Sequence, residues 1–133
     1  MESTQVVKGY NLTPNDFVKN SNGKLSIKRN AINGTPGMLL IYANWCGHCV
    51  RFKPTFNLIH NKIGNDYSMA SIEHDTFKND REFTRLLNFK GYPSIKFFDQ
   101  YGNIIGDFNE NDRSEKTILQ HICKAYHYCM LER

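Results

Sequence analysis

The chain has 133 residues, 40% hydrophobic and 23% charged, with a net charge of +4. That is the size and composition of one ordinary soluble domain, long enough to bury a core without metals or disulfide staples. Its lysines are scattered and no apolar run approaches the roughly 18–20 residues that cross a bilayer, so neither a nucleic acid nor a membrane is expected as partner.

In chain order, the N-terminal residues 1–5 are polar, and Val6-Val7 is too short for a signal-peptide core. Residues 130–133 form no endoplasmic-reticulum retention signal. The expectation is a chain kept in a cytosol-like space, where structural disulfides are disfavoured. Abundant Asn, Lys and Ile hint at an AT-rich genome such as that of a large DNA virus or a parasite; a viral chain would reside in the virion or the host cytoplasm.

Thr13 ahead of Pro14 predicts a short helical turn. Asn20-Ser21-Asn22-Gly23 is turn chemistry, and residues 25–27 alternate like a short strand. The continuous apolar run at 38–43, bounded by turn signals, predicts a strand buried on both faces. From Cys46 the pattern turns helical: Val50, Phe52, Phe56, Ile59 and Ile63 recur near a 3.6 period, Pro54 falls inside, and Gly64 ends it. Residues 67–73 predict a strand. Residues 80–89 predict a helix capped by Asp80, with Phe83, Leu86 and Leu87 inward. Residues 94–98 and 103–108 flank Asp99-Gln100-Tyr101-Gly102 and read as a hairpin. Asp112-x-x-Glu115 starts a last helix carrying Ile118, Leu119, Ile122, Cys123 and Tyr126. This order predicts an α/β fold, a mixed central sheet with helices on both faces.

The chemistry lies in Cys46-Gly47-His48-Cys49, directly after the buried strand and Trp45. Two thiols at this spacing can close a disulfide across one helical turn and reopen it. A helix opening at Cys46 would present unpaired N–H groups and the positive end of its dipole, both of which favour a thiolate. Cys46 is therefore the expected attacking thiol and Cys49, deeper on the same face, the resolving one. Gly47 allows the tight turn. A cationic His48 imidazole would further stabilise the Cys46 thiolate and make the disulfide more oxidising. A half metal site would need a second ligand pair at matching spacing, which Cys123 and Cys129 do not supply; no metal is expected. The spacing of Cys123 with Leu119 and Tyr126 predicts a half-buried core thiol. Positions six apart on a helix are turned by about 240°, so a bond between Cys123 and Cys129 would need fraying, and Cys129 is open to intermolecular pairing.

The stretch Tyr42-Ala43-Asn44-Trp45-Cys46-Gly47-His48-Cys49, followed by Pro54, resembles the active-site segment of the thioredoxin superfamily. Its Cys-Gly-His-Cys core is similar to the protein disulfide isomerase branch. Lys90-Gly91-Tyr92-Pro93-Ser94-Ile95-Lys96-Phe97-Phe98 resembles that branch's cis-proline segment, and the likeness covers roughly residues 39–122. The resemblance implies a thioredoxin fold over residues 1–133, with 1–9 an N-terminal extension and 128–133 a C-terminal tail. It implies a cis peptide before Pro93, a substrate-pairing backbone at Tyr92, and Trp45 on the rim beside the disulfide, where the residue type alone also allows a core aromatic. Arg113 corresponds to an arginine that can approach the resolving thiol; read alone, it is a solvated charge at a helix start.

The family's buried carboxylate, six residues before the first cysteine, is replaced here by Leu40, and its lysine partner is missing from Ile72-Glu73-His74-Asp75. Glu73, His74 or a water is the expected substitute. The functional expectation is a monomeric thiol–disulfide oxidoreductase, acting as oxidase/isomerase or reductase on protein disulfides and recharged by a redox partner. It needs no dissociable cofactor. The alternative is a low-turnover binding or structural module, or a stoichiometric redox switch, that kept the fold.

Overall fold

The computed structural model describes residues 5–126. In chain order it has β1 (Tyr10–Leu12), β2 (Phe17–Lys19), β3 (Leu25–Ile27), β4 (Gly37–Tyr42), α1 (Gly47–Lys62), β5 (Ser68–Glu73), α2 (Arg81–Leu87), β6 (Ser94–Phe98), β7 (Ile104–Asp107) and α3 (Glu115–Tyr126). A five-stranded sheet runs β1-β5-β4-β6-β7, and β2 and β3 form a separate hairpin. β1, β5 and β4 are parallel; β6 runs antiparallel to β4, and β7 antiparallel to β6. The mixed sheet expected from the element order is therefore present.

Every residue of β4 is buried, because both faces of the sheet are covered. Met38, Leu40 and Tyr42 face one side and pack with Phe52, Phe56 and Ile59 of α1 and Ile118, Leu119 and Ile122 of α3. Leu39 and Ile41 face the other side, with Phe83 and Leu87 of α2 and Phe17, Leu25 and Ile27 of the hairpin. Gly37 opens the strand where nothing larger fits: a Cβ there would lie 1.9 Å from the Ser68 carbonyl oxygen.

The front end holds what the pattern does not announce. β1 and β2 are three residues each, too short for a readable alternation, and pairing with β5 and β3 rather than local propensity makes them strands. The expected turn at Thr13-Pro14 is a 3-10 helix, Pro14–Asp16, with Asp16 Oδ2 accepting the Thr13 N–H at 2.9 Å. Residues 5–9, placed by sequence in an extension, lie along α1. Val7 is buried in the core, Lys8 N–H donates to Asn57 Oδ1 at 2.8 Å, and Asn57 Nδ2 donates to the Val6 carbonyl at 2.8 Å.

Three local expectations are corrected. α2 stops at Leu87, before Phe89, because Asn88 takes the left-handed conformation (φ 52°) that ends a helix. The cap of α3 is Ser114, whose Oγ accepts from Thr117 N at 3.3 Å; Asp112 supports it by accepting from Ser114 N at 2.9 Å. Cys123 is half-buried but disulfide-bonded rather than a free core thiol, and its partner is neither Cys46 nor Cys49, both of which are free. Cys129 and the expected tail at 128–133 lie outside the described residues. Among the described residues no helix is long and apolar enough to cross a membrane.

Asn57 is the polar clamp that ties the N-terminal segment to α1. Asn57→Ala leaves a backbone N–H and a carbonyl without their side-chain partner and is expected to cost about 1–3 kcal/mol. Urea denaturation checks this; an unchanged midpoint would show that the segment is held without the Asn57 clamp.

Candidate active site at the start of α1

β4 ends at Tyr42, and the chain crosses Ala43, Asn44 and Trp45 before α1 begins. Cys46 is the N-cap residue, in extended conformation (φ −87°, ψ 121°). This places its sulfur against the first N–H groups of the helix, which have no carbonyl partner within it. Cys46 is half-buried and Cys49 is buried.

The two thiols are pushed in opposite directions. Burial alone would raise Cys46, but hydrogen bonds from the Cys49 N–H, the Cys49 thiol and the His48 N–H, with the Arg51 guanidinium nearby, outweigh it and hold Cys46 below its ordinary value. Burial pushes Cys49 up to about 12, helped by the hydrogen bond and negative charge of Cys46, while a hydrogen bond from the Ala43 backbone and the charge of Arg113 pull the other way. One turn of helix thus carries a ready nucleophile and a silent thiol.

Arg113, half-buried in the loop before α3, acts electrostatically on Cys49; it is not merely a solvated helix-start charge. His48 Nδ1 lies 2.9 Å from an Arg51 guanidinium nitrogen, which can only donate, so in this arrangement Nδ1 is the acceptor. The side-chain cation near Cys46 is Arg51, and His48 contributes its backbone N–H. Gly47 is exposed, and a Cβ there would meet only the Arg51 guanidinium at 3.5 Å.

Opposite the dithiol stands the loop before β6. The Tyr92–Pro93 peptide is cis, and the Tyr92 carbonyl accepts from Cys46 Sγ at 3.6 Å. Trp45 is 52% exposed, on the rim rather than in the core. Its ring meets His74 edge-on at 5.4 Å and Tyr92 at 5.7 Å, and His74 meets Tyr92 at 5.6 Å. The Tyr92 hydroxyl and His74 Nδ1 are joined by a 2.8 Å hydrogen bond. Three rings and a cis-proline backbone therefore flank the Cys46 sulfur.

Leu40 is 1% exposed and shares its core cluster with Cys49, so on the sheet side the resolving position faces hydrocarbon. Neither expected substitute for the carboxylate bonds to Cys49. His74 belongs to the aromatic rim. The Glu73 carboxylate accepts from Asn44 N–H at 3.2 Å and Asp75 N–H at 2.8 Å. The residue that sequence reading missed is Lys53. It is 1% exposed and donates to Asn44 Oδ1 at 2.7 Å and to the Gln5 carbonyl at 3.2 Å, with Nζ 5.4 Å from the centre of the Tyr42 ring. A lysine does not register in a search for apolar periodicity. Its offset of four from Cys49 and from Asn57 does register, because those three positions form one helical stripe, and all three are buried.

The thioredoxin family model matches residues 24–124. The chain belongs to the thioredoxin family, and among curated relatives it is similar to protein disulfide isomerases. A protein disulfide-isomerase of Schizosaccharomyces pombe is 31% identical over 85 residues, covering 62% of this chain and 23% of its own length. A protein disulfide isomerase-like protein of Arabidopsis thaliana is 29% identical over 93 residues, covering 69% and 18%. The chain thus spans about a fifth of the curated relatives it matches. Among solved structures, the Trx4 domain of ERdj5 aligns with a TM-score of 0.60 at 22% identity, covering 87% of this chain and 93% of that one. The zinc-bound form of human ERp44 aligns with a TM-score of 0.64 at 16% identity, covering 86% and 30%. At these identities the solved structures establish the fold.

The opposed thiols set a two-step pH profile. Cys46 should be alkylated by iodoacetamide at a pH below that of a free cysteine, because its lowered pKa makes thiolate earlier; Cys49 should stay protected until about pH 12. Arg51→Met should move the Cys46 half-point upward by about half a unit, the scale of one exposed charge, and His48→Ala should move it less. The reverse ranking would return the cationic role to His48. Mass spectrometry of the alkylated peptides reads all three.

Proposed function

We propose that the protein is a thiol–disulfide oxidoreductase acting on protein substrates through the Cys46/Cys49 dithiol. The observation that carries this reading is the opposed ionisation of two free cysteines one helical turn apart, beside a cis-proline loop. It is supported by relatives that bear the name protein disulfide-isomerase.

In the reductive direction, the Cys46 thiolate attacks a substrate disulfide. A Cys46–substrate sulfur bond forms, the substrate's own S–S bond breaks, and one substrate thiolate departs. Cys49 then attacks the Cys46 sulfur; the Cys46–Cys49 bond forms, the second substrate sulfur leaves, and the proton released by Cys49 goes to it. The net result is two substrate thiols and one enzyme disulfide. Oxidation is the same path reversed, and isomerisation uses the first step alone followed by attack of another substrate thiol. The electrons reside in the two sulfurs, so no dissociable cofactor is required; a protein or small-thiol redox partner resets the pair.

Order follows from the charges. A Cys46 thiolate opposes ionisation of Cys49. Once Cys46 is in a mixed disulfide it carries no charge, and that opposition ends. The resolving thiol is thereby held back until a substrate is attached. Trp45, His74 and Tyr92 offer an aromatic seat for an extended segment laid along the Tyr92-Pro93 backbone. Leu40 beside Cys49 favours a second reading, a low-turnover binding module or stoichiometric switch, because the acid–base group expected there is absent.

Insulin reduction and reactivation of scrambled ribonuclease distinguish the two. The wild type should turn over repeatedly, Cys46→Ser should fall to the uncatalysed rate, and Cys49→Ser should accumulate mixed disulfides with substrate. Wild-type rates equal to those of Cys46→Ser would reject the enzyme reading and leave the binding module.

A further inference from the structure

Lys53 is the buried charge that the exchange steps described so far do not use. We propose that its ammonium is the counter-charge for the Cys49 thiolate in the resolving step. It would lower, from helix α1, the cost of ionising a thiol that the chain, with Leu40 in β4, has no carboxylate there to deprotonate. The proposal deepens the oxidoreductase reading and rests on it.

Burying an ammonium is costly unless it is hydrogen-bonded and balanced by charge. The surroundings of Lys53 are those of the charged form. Two oxygens accept from Nζ, Asn44 Oδ1 at 2.7 Å and the Gln5 carbonyl at 3.2 Å, and the Tyr42 ring lies 5.4 Å away. None of these partners is an anion. The titratable groups that act on the ammonium are Cys49 on its own helix and Glu73 at the end of β5. Tyr42 of β4 and Tyr92 of the cis-proline loop are both pushed up, by burial first and then by Glu73 and Cys49, Tyr42 to about 12, so their phenols stay neutral. Arg113 faces Cys49 from the loop before α3, and Cys46 from the head of α1.

Glu73 is engaged. Its two oxygens accept from the Asn44 and Asp75 N–H groups, so Asn44 joins it to Lys53, with a backbone bond to the acid and a side-chain bond to the ammonium. This holds the lysine in place on a helix stripe shared with Cys49, four residues earlier, where side chains are neighbours.

Burial lowers the tendency of Lys53 to stay protonated, while Cys49 and Glu73 raise it. Such coupling is reciprocal: what a thiolate at Cys49 does for the ammonium, the ammonium does for the thiolate. Lys53 neither gains nor loses a proton in the step. Cys49 gives its proton to the departing substrate sulfur, the Cys46–Cys49 bond forms, and the Cys46–substrate bond breaks. The ammonium favours the transient anion. Lys53 is in this sense a positioning charge, distinct from the reacting sulfurs.

The test isolates Cys49. In a Cys46→Ser background, the rate of iodoacetamide alkylation on the rising limb of its pH profile, followed up to about pH 12, reports the thiolate fraction of Cys49 alone. Adding Lys53→Met, which keeps the aliphatic stem and removes the charge, should slow it about tenfold, equivalent to one pH unit in the ionisation of Cys49. Lys53→Arg should recover most of the loss. A loosened site would instead speed alkylation, so a decrease rescued by arginine is specific to charge. An unchanged or faster rate in folded Lys53→Met protein overturns the proposal. Should that variant not fold, Asn44→Ala removes the 2.7 Å acceptor; a loss of about threefold supports the proposal and an unchanged rate overturns it. No substrate is involved, so a negative result here leaves the insulin assay to decide the oxidoreductase reading separately.

Discussion

A strand with no solvent face governs the molecule. β4 is hydrogen-bonded to β5 on one edge and β6 on the other, and its side chains are buried on both sides. Such a strand has one register that satisfies both its backbone and its packing. Where it ends is therefore fixed, and so is the point at which Cys46 meets the first turn of α1. β6 runs back beside β4, with Ile41 opposite Ser94, which brings the Tyr92-Pro93 loop to the same end of the sheet. The dithiol and its facing carbonyl meet because two adjacent strands terminate together.

The site's chemistry follows from a difference in depth within one turn. Cys46 lies at the mouth, where backbone donors outweigh burial; Cys49 lies at the floor, against Leu40 and the α1–α3 core, where burial dominates. A sulfur that ionises readily and a sulfur that resists ionisation assign the attacking and resolving roles. The remaining charges are placed around this pair. Arg51 serves the outer thiol, Arg113 faces the inner one, and Glu73 is tied to Lys53 through Asn44.

Much of this was legible in the amino-acid order. The buried strand, the helix after Cys46, the Asp80 cap and the hairpin around residues 99–102 all carry local signals that tertiary structure left intact. The two motifs around Cys46 and Pro93 located the site. What escaped has a common physical origin. β1 became a strand through a partner sixty residues away, and no local pattern reports that. Arg51, which acts on Cys46 from one turn further along the helix, went unnoticed because a search for motif residues stops at Cys49. Lys53 was invisible because apolar periodicity discards charged residues, even where their spacing puts them inside.

The most direct test of the account is the reduction potential of the Cys46–Cys49 pair, measured by equilibration with glutathione buffers and intact-mass readout. Preferential stabilisation of a Cys46 thiolate favours the reduced form. The account therefore predicts a single intramolecular disulfide with a potential well above the roughly −270 mV of thioredoxin, toward the about −180 mV of protein disulfide isomerase. A potential at or below the thioredoxin value, or a pair that never closes within one chain, would contradict it.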